Sequence, residues 1–421
     1  MNSRERIQAA LRHEIPDRVP VDLGATPSST ISTIAYNNLK IYHGRHELPT
    51  FVYDVVQQLA QPDDFFLDRY GVDVIDIGRV FNNHPSEWYP VVLSDGSEAL
   101  YPRWFRPRLE GDNWVARDED GVELARMPVG SWFFDQTFFP YQSGYPDDFS
   151  GMEEDFQKNM WAAWPPSPWD KTWRKDFWEH LRQRTMELRA KSDRALLIGV
   201  GCNLFENGNM MRRMDNFLMD LLADPPGVER FLDKLMELHL DKLSKVCGSV
   251  GEVVDIVKFG DDLGMDSGPF MSPETYRKYF KPRHRELCDF VYRNSGMVPM
   301  LHSCGSVYQL IPDLIEAGFR ILNPVQTACR DMEPDRLVRE YGRDLVFWGG
   351  GADTRTVLNR ASPEEVRVHV LERLEIFARR GGYVFNTIHN ILPEVRPENI
   401  EAMFGAVAEF DGRKATEPDT L

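Results

Sequence analysis

This chain is short of cysteine, of positive charge and of long apolar runs, and each shortage removes a class of protein. Five cysteines in 421 residues (Cys202, Cys247, Cys288, Cys304, Cys329) form no paired small-domain framework, and in a cytoplasmic chain they are expected to be reduced. Lys and Arg number 49 against 66 Asp and Glu, a net charge of −17 that repels phosphate backbones and makes nucleic acid an unexpected partner. No apolar run approaches the ~18–20 residues of a membrane span, and the polar start Met1-Asn2-Ser3-Arg4-Glu5-Arg6 does not read as a secretory signal. The expectation is a cytoplasmic protein that does not engage a membrane. Hydrophobic residues at 42%, with 12% aromatic, supply a core large enough for one α/β barrel or for two or three ordinary domains.

Eight segments read as strands, most of them followed by a helical pattern: 19–23, 72–77, 195–200, 254–260, 297–302, 320–325, 345–349 and 383–387. Runs such as Leu196-Leu197-Ile198-Gly199-Val200 are apolar on both faces, as in a parallel sheet covered by helices. Ser272-Pro273-Glu274 and Ser362-Pro363-Glu364-Glu365 are helix starts, the second a capping box, and Pro282 is expected to kink the helix after the first. Eight alternating βα units predict an α/β fold of the closed (β/α)8 type over 1–410. Between the second and third strands, 81–189 breaks the pattern. Asp95-Gly96, Gly111-Asp112 and Asp120-Gly121 mark an antiparallel meander, and Trp132, Phe133, Phe134, Phe138, Phe139, Tyr141, Trp161, Trp164, Trp169, Trp173 and Trp178 follow it. This insertion is read as a lid whose aromatics either pack it onto the barrel or wall a large flat ligand. Residues 411–421 are expected to fray.

In a barrel of this kind, chemistry collects at the C-terminal ends of the strands. Asp76, Cys202-Asn203, Asp261-Asp262, His302-Ser303-Cys304, Gln326 with nearby Cys329, Gly349-Gly350-Gly351 with Asp353, and His389-Asn390 all stand there. His302 and Cys304 are two residues apart, so on a strand they share a face, and nitrogen with sulfur suits Zn²⁺ better than Mg²⁺ or Ca²⁺. Taken alone, an HxC of this kind also fits a buried histidine beside a buried free thiol. Adjacent aspartates often cap the next helix, and three glycines often make a tight turn.

Several ordered motifs extend this reading. Phe259-Gly260-Asp261-Asp262-Leu263-Gly264, Met271-Ser272-Pro273-Glu274-Thr275-Tyr276, Leu301–Gly305, Leu322-Asn323-Pro324-Val325-Gln326 and His389-Asn390-Ile391-Leu392-Pro393 together resemble the uroporphyrinogen decarboxylase superfamily. The early Pro16-Asp17-Arg18-Val19-Pro20 and Tyr70-Gly71-Val72-Asp73 belong to the same resemblance, which covers most of the chain outside the insertion. It implies a distorted barrel carrying one of two chemistries. One is cofactor-free decarboxylation of uroporphyrinogen; the other is zinc-dependent methyl transfer from a methylated corrinoid protein to a thiol or to tetrahydrofolate.

True decarboxylases resemble one another in an N-terminal Arg-rich segment that clamps carboxylates, whereas Asp22–Thr30 holds no Arg here. Their tyrosine after the third strand is also missing, although Asp76 and His389 match their aspartate and late histidine. The methyltransferase branch uses His-x-Cys as zinc ligands, which implies that role for His302 and Cys304. Its usual third ligand, a cysteine after the last strand, is replaced by Thr387-Ile388-His389-Asn390, so the resemblance points to His389, with Cys329 or Gln326 as alternatives. Asp76, Asp261, Asp262 and His389 are then the candidate proton-handling residues, and Asn203, Gln326, Gly350, Asp353 and Asn390 the candidate binding residues. No Asp-x-His-x-x-Gly cobalamin signature occurs, so a separate corrinoid carrier is the expected partner, and a homodimer is expected by analogy. Two rivals stand beside methyl transfer: a metal-free lyase using Asp76 and His389 on another carboxylated substrate, and a non-catalytic tetrapyrrole-binding barrel.

Overall fold

A computed structural model of the chain describes residues 1–412. Seven parallel strands form one curled sheet in sequential order: β1 (Val74–Asp76), β2 (Ala195–Gly201), β3 (Ile256–Gly260), β4 (Val298–His302), β5 (Ile321–Asn323), β6 (Val346–Trp348) and β7 (Tyr383–Val384). The segment expected as the first strand, 19–23, is reduced to one pairing residue. Val21 bridges in parallel to Phe385 on one side and to Val72 on the other, and so closes the seven strands into a ring. Pro20 shows why the pairing is short, since it offers no N–H and contributes only its carbonyl, which accepts from Phe385. The (β/α)8 expectation therefore holds with a first stave one residue long.

The ends of this ring differ chemically. Val74, Leu197, Ile256, Met300, Ile321, Val346 and Val384 point inward and pack with Ile7 and Ala10 of the helix Ser3–Leu11, which plugs the N-terminal end. Two residues further along each strand, on the same face, stand Asp76, Gly199, Lys258, His302, Asn323, Trp348 and Asn386. One pleat step converts a dry core into a polar chamber. Below that core the Asp73 carboxylate is fully buried and accepts from Arg6 at 2.7 Å, from Arg18 at 2.7 Å and from the Val21 N–H at 3.0 Å.

Ser272 caps the helix Pro273–Tyr279, and Ser362 with Glu365 forms a capping box on Pro363–Phe377. The kink expected near Pro282 is a full break: a second helix, Lys281–Asn294, starts with that proline in its first turn. Within 81–189 the chain forms the hairpin Trp88–Val92 with Glu98–Pro102, and a four-stranded antiparallel sheet from Arg108–Glu110 to Asp135–Gln136. Phe105, Phe134 and Trp164 build a separate core there with Val52, Val55 and Val56. Most of its aromatics are thus committed to packing, while Trp173 is 75% exposed and Trp169 reaches the barrel, donating its indole N–H to the Gly199 carbonyl at 2.7 Å. The helix Phe177–Lys191 closes this stretch and packs on the long helix Pro225–Val250, as part of the outer layer. Of the tail expected to fray, residues 413–421 lie outside the described residues, and the Asp411 carboxylate accepts from the Val19 N–H at 2.9 Å.

Ring closure is reinforced inside the lumen by Asp22, which accepts from Trp348 Nε1 at 2.8 Å and from the Ala25 N–H at 3.0 Å. Burial pushes the Asp22 carboxyl up to about 6, against the pull of those donors. A carboxyl raised in the folded state contributes stability that is complete below its unfolded value, about 3.9, and is lost as pH rises toward 6. The indole bond favours the ionised form. Trp348→Phe is therefore expected to cost about 1.5–3 kcal/mol in urea unfolding at pH 7.5, where Asp22 is charged, and clearly less at pH 5. An equal cost at both pH values would contradict this assignment.

Candidate metal centre

Strand register sets the geometry of the chamber. Gly260 lies opposite His302, and His302 opposite Asn323, so the ends of β3, β4 and β5 reach one level. Beyond β4 the chain turns through Ser303 to Cys304, whose loop is pressed onto the loop after β3. Gly305 has φ +81° and lies so close to the Gly264 carbonyl that a Cβ would not fit. The Cys304 N–H donates to Asp262 at 2.8 Å, and the Gly305 N–H donates to the Gln326 side chain. Beyond β7 the chain delivers His389, its Nδ1 bonded to Asn390.

These loops bring three donors together. One ligand atom each from His302, Cys304 and His389 lies within 4.8 Å of the others, and no other such group of three occurs among the described residues. His302 Nε2 is 3.5 Å from Cys304 Sγ, and the two imidazoles are 6.0 Å apart between centroids. Cys329 is not in this group; its thiol donates to Asp266 at 3.3 Å. Gln326 spends its carbonyl oxygen on the Cys304 loop.

Burial sets the protonation of the group. It pushes the Cys304 thiol well above its ordinary value, with Asp262 and Glu206 adding to the effect and Lys258 opposing it. It lowers His302 to about 4, helped by the Lys258 charge, and lowers His389 in the same direction. Both imidazoles are thus neutral near pH 7 and keep a lone pair for a cation. A bound divalent ion would reverse the balance at the thiol.

The two adjacent aspartates divide their work. Asp261, wholly buried, accepts from the N–H groups of Leu204, Phe205 and Glu206 at 3.1, 2.9 and 2.8 Å, and its carboxylate is 3.2 Å from His284 Nε2. It holds the start of the helix Phe205–Arg212 and has no contact with the metal group. Asp262, 3.6 Å from His302 Nε2, faces that group. Asn203 lies over Gly260 and bonds Glu206.

Asp76 bonds the Gly78 N–H, and burial lifts its carboxyl to about 7 against the pull of that bond, of Lys258 and of Arg79. Gly350, at φ +70°, makes a turn packed against Val325 and Phe377, and Asp353 accepts from the Arg355 and Thr356 N–H groups at 2.9 and 2.7 Å. Neither residue belongs to the three-donor group.

Four chamber residues escape a reading of strand ends. Lys258 is a charge in the middle of an apolar strand, Glu206 lies one turn past Asn203, and Asn323 and Asn386 occupy inward positions two residues beyond apolar ones. The first was visible as a break in the apolar pattern of 254–260. Asn386 is 2% exposed, and neither of its amide atoms has a hydrogen-bond partner among the described residues.

Fold and chamber define a class: a closed α/β barrel with a three-donor N₂S group at its C-terminal mouth. Residues 184–410 match the family model described as uroporphyrinogen decarboxylase (URO-D), and the chain belongs to that family. It is 44% identical over 228 residues to uroporphyrinogen decarboxylase of Methylococcus capsulatus, covering 52% of this chain and 60% of that one. It is 25% identical over 195 residues to uroporphyrinogen decarboxylase of Chloroherpeton thalassium, covering 44% and 53%. The matches thus span between half and two thirds of these curated relatives. Among solved structures, a methyltransferase from Methanosarcina mazei superposes with a TM-score of 0.59 over 97% of this chain and 99% of that one, at 17% identity, which shows a shared fold. No helix among the described residues is long and apolar enough to cross a membrane.

Asp261→Ala would strand three buried N–H groups. It is expected to cost about 3 kcal/mol or more in chemical denaturation, whereas Asp262→Ala, at the chamber wall, costs under about 1.5 kcal/mol. A reversed order of stability would overturn this division of roles.

Proposed function

We propose that this protein is a zinc-dependent methyltransferase that moves a methyl group from a methylated corrinoid, held by a separate carrier protein, to a thiol or to tetrahydrofolate. One observation carries the reading: His302 at the end of β4, Cys304 in the loop after it and His389 in the loop after β7 converge within 4.8 Å at the barrel mouth. The donor set fits the metal, because two neutral imidazoles and one thiol are borderline-soft ligands and three protein ligands leave a position for substrate. When bound, zinc would lower the pKa of a substrate thiol so that its sulfur is nucleophilic at neutral pH.

The chain's own residues supply the remainder. Asp76, which burial lifts to about 7, can take up the proton that the acceptor thiol releases. Asp262 orients the Cys304 loop through its backbone bond, and the half-buried Lys258, whose charged form Glu206, Asp262 and Asp76 favour against desolvation, can offset those carboxylates around the acceptor. Sulfur and methyl carbon then meet in a chamber that replaces a bimolecular encounter with a fixed approach. The shared fold with a methyltransferase supports this reading at the level of architecture.

A second reading has its own support. The curated relatives are named uroporphyrinogen decarboxylase, and Asp76 and His389 stand on the same mouth, so a metal-free lyase acting on another carboxylated substrate is the competitor. Against uroporphyrinogen itself stands the first loop, where buried Thr26, Ser28 and Ser29 occupy the place of an arginine clamp.

Elemental analysis separates the two. The expected outcome is about one zinc per chain in the purified protein, lost in His302→Ala, Cys304→Ala and His389→Ala variants that still fold. Those variants should lose more than about 100-fold of methylcobalamin-to-thiol transfer, followed by the corrinoid absorbance change. Turnover of a carboxylated substrate by protein stripped of metal would reject methyl transfer in favour of the lyase.

A further inference from the structure

The orientation of one buried amide determines which nitrogen of His302 is free. Asn323 ends β5 and is wholly buried, opposite His302 in the strand register. Its Nδ2 is 2.9 Å from the Trp348 carbonyl oxygen, which can only accept, so that end of the amide must be the nitrogen. Its Oδ1 consequently faces two groups at once, Ser28 Oγ at 2.9 Å and His302 Nδ1 at 2.7 Å. An amide oxygen cannot donate. His302 Nδ1 must therefore carry the proton, and the lone pair is left on Nε2, the atom 3.5 Å from Cys304 Sγ.

Without Asn323 the preference would reverse, because Asp262 lies 3.6 Å from Nε2 and would draw the proton there. Ser28 is held in turn by Thr26, with 2.9 Å between their hydroxyl oxygens, and Thr26 by Ser29 at 3.1 Å. This hydroxyl chain belongs to the first loop, 22–30, which follows the one-residue stave. His389 has a simpler arrangement, since its Nδ1 meets Asn390 alone.

We propose that Asn323 is a positioning residue that locks His302 in the tautomer with Nε2 aimed at the metal group, and that Ser28 of the first loop supports it. Its service to zinc rests on the reading above; the tautomer does not. A ligating histidine whose other nitrogen is held in this way meets the cation without first reorienting or losing its Nε2 proton, and loss of such a partner typically weakens metal binding by about 10- to 100-fold.

The test has two independent readouts. In metal-free protein labelled with ¹⁵N-histidine, long-range ¹H–¹⁵N correlations report the tautomer of each ring, with His302→Gln assigning the signal. The wild type is expected to show His302 protonated on Nδ1, and Asn323→Ala to move the proton to Nε2. A wild-type Nε2–H tautomer, or an unchanged Nδ1–H tautomer in Asn323→Ala, overturns the proposal.

In chelator competition Asn323→Ala should bind zinc about 10- to 100-fold more weakly than wild type. Asn323→Asp keeps an acceptor for His302 but cannot donate to Trp348, so it should retain the tautomer and zinc affinity while losing global stability. Loss of either in a folded Asn323→Asp protein also overturns the proposal, and that variant carries the test if Asn323→Ala does not fold. Wild type with the Nδ1–H tautomer but no zinc affinity would reject the zinc reading and leave the positioning of His302 standing.

Discussion

The barrel closes through a single residue, and the candidate site depends on that closure. Val21 pairs with Phe385 and Val72, and its N–H is claimed by Asp73, whose buried charge is balanced by Arg6 and Arg18. Breaking a buried ion pair is costly because the charge left behind has no solvent, so this anchor resists slippage of the stave. Everything after Val21 inherits its placement: Asp22 reaches across to Trp348, and Ser28 reaches Asn323. A one-residue stave would be a weak seam on backbone bonds alone. Side-chain bonds from 22–30 to the far wall of the lumen supply the missing connections.

The same closure explains why chemistry sits where it does. Apolar side chains and the helix Ser3–Leu11 fill one end of the lumen, so polar inward positions are left only in the last pleat. Burial there pushes seven groups toward neutrality, raising Asp22, Asp76, Glu206 and Cys304 and lowering His302, His389 and Lys258. A cation entering such a chamber would have to displace protons from its thiol and acids, and only then would the low dielectric that penalises lone charges strengthen their pairing.

Much of this was legible in the sequence. Seven of the eight strands, the capping serines, the antiparallel meander and the HxC pair follow from periodicity and spacing, since each is a local pattern. The remainder depends on who meets whom across the ring. Asp261 and Asp262 are indistinguishable as neighbours in sequence, yet one turns inward under a helix and the other toward His302. Cys329 lies three residues past Gln326, but the loop aims its sulfur at Asp266 instead of the three-donor group. The aromatics of the insertion fit packing and a ligand wall equally in composition; Phe134 and Trp164 make a core for the inserted sheet, whereas Tyr141, Trp169 and Trp178 pack on the core of the barrel. The shortness of the first stave was hinted at by Pro20, but the three apolar residues Val19, Val21 and Leu23 outweigh one proline in a pattern reading.

On the zinc reading, His389 in place of the cysteine that the methyltransferase resemblance implies would change the charge of the donor set. Two imidazoles and one thiolate bring one negative charge, where one imidazole and two thiolates would bring two. On the zinc reading, the centre keeps one more unit of positive charge and holds an incoming thiolate more tightly, which favours deprotonation but weakens the sulfur as a nucleophile. Glu206 and Asp262 lie within electrostatic reach of Cys304 and can return negative charge to the site, while Lys258 moderates both. On that reading, the acids that oppose a Cys304 thiolate would be the groups that offset the extra charge beside a cation. Asp262 serves that balance from the chamber wall, its backbone-bonded position fixed by the Cys304 loop, so the geometry of the ligand loop and the charge around it are set by one carboxylate.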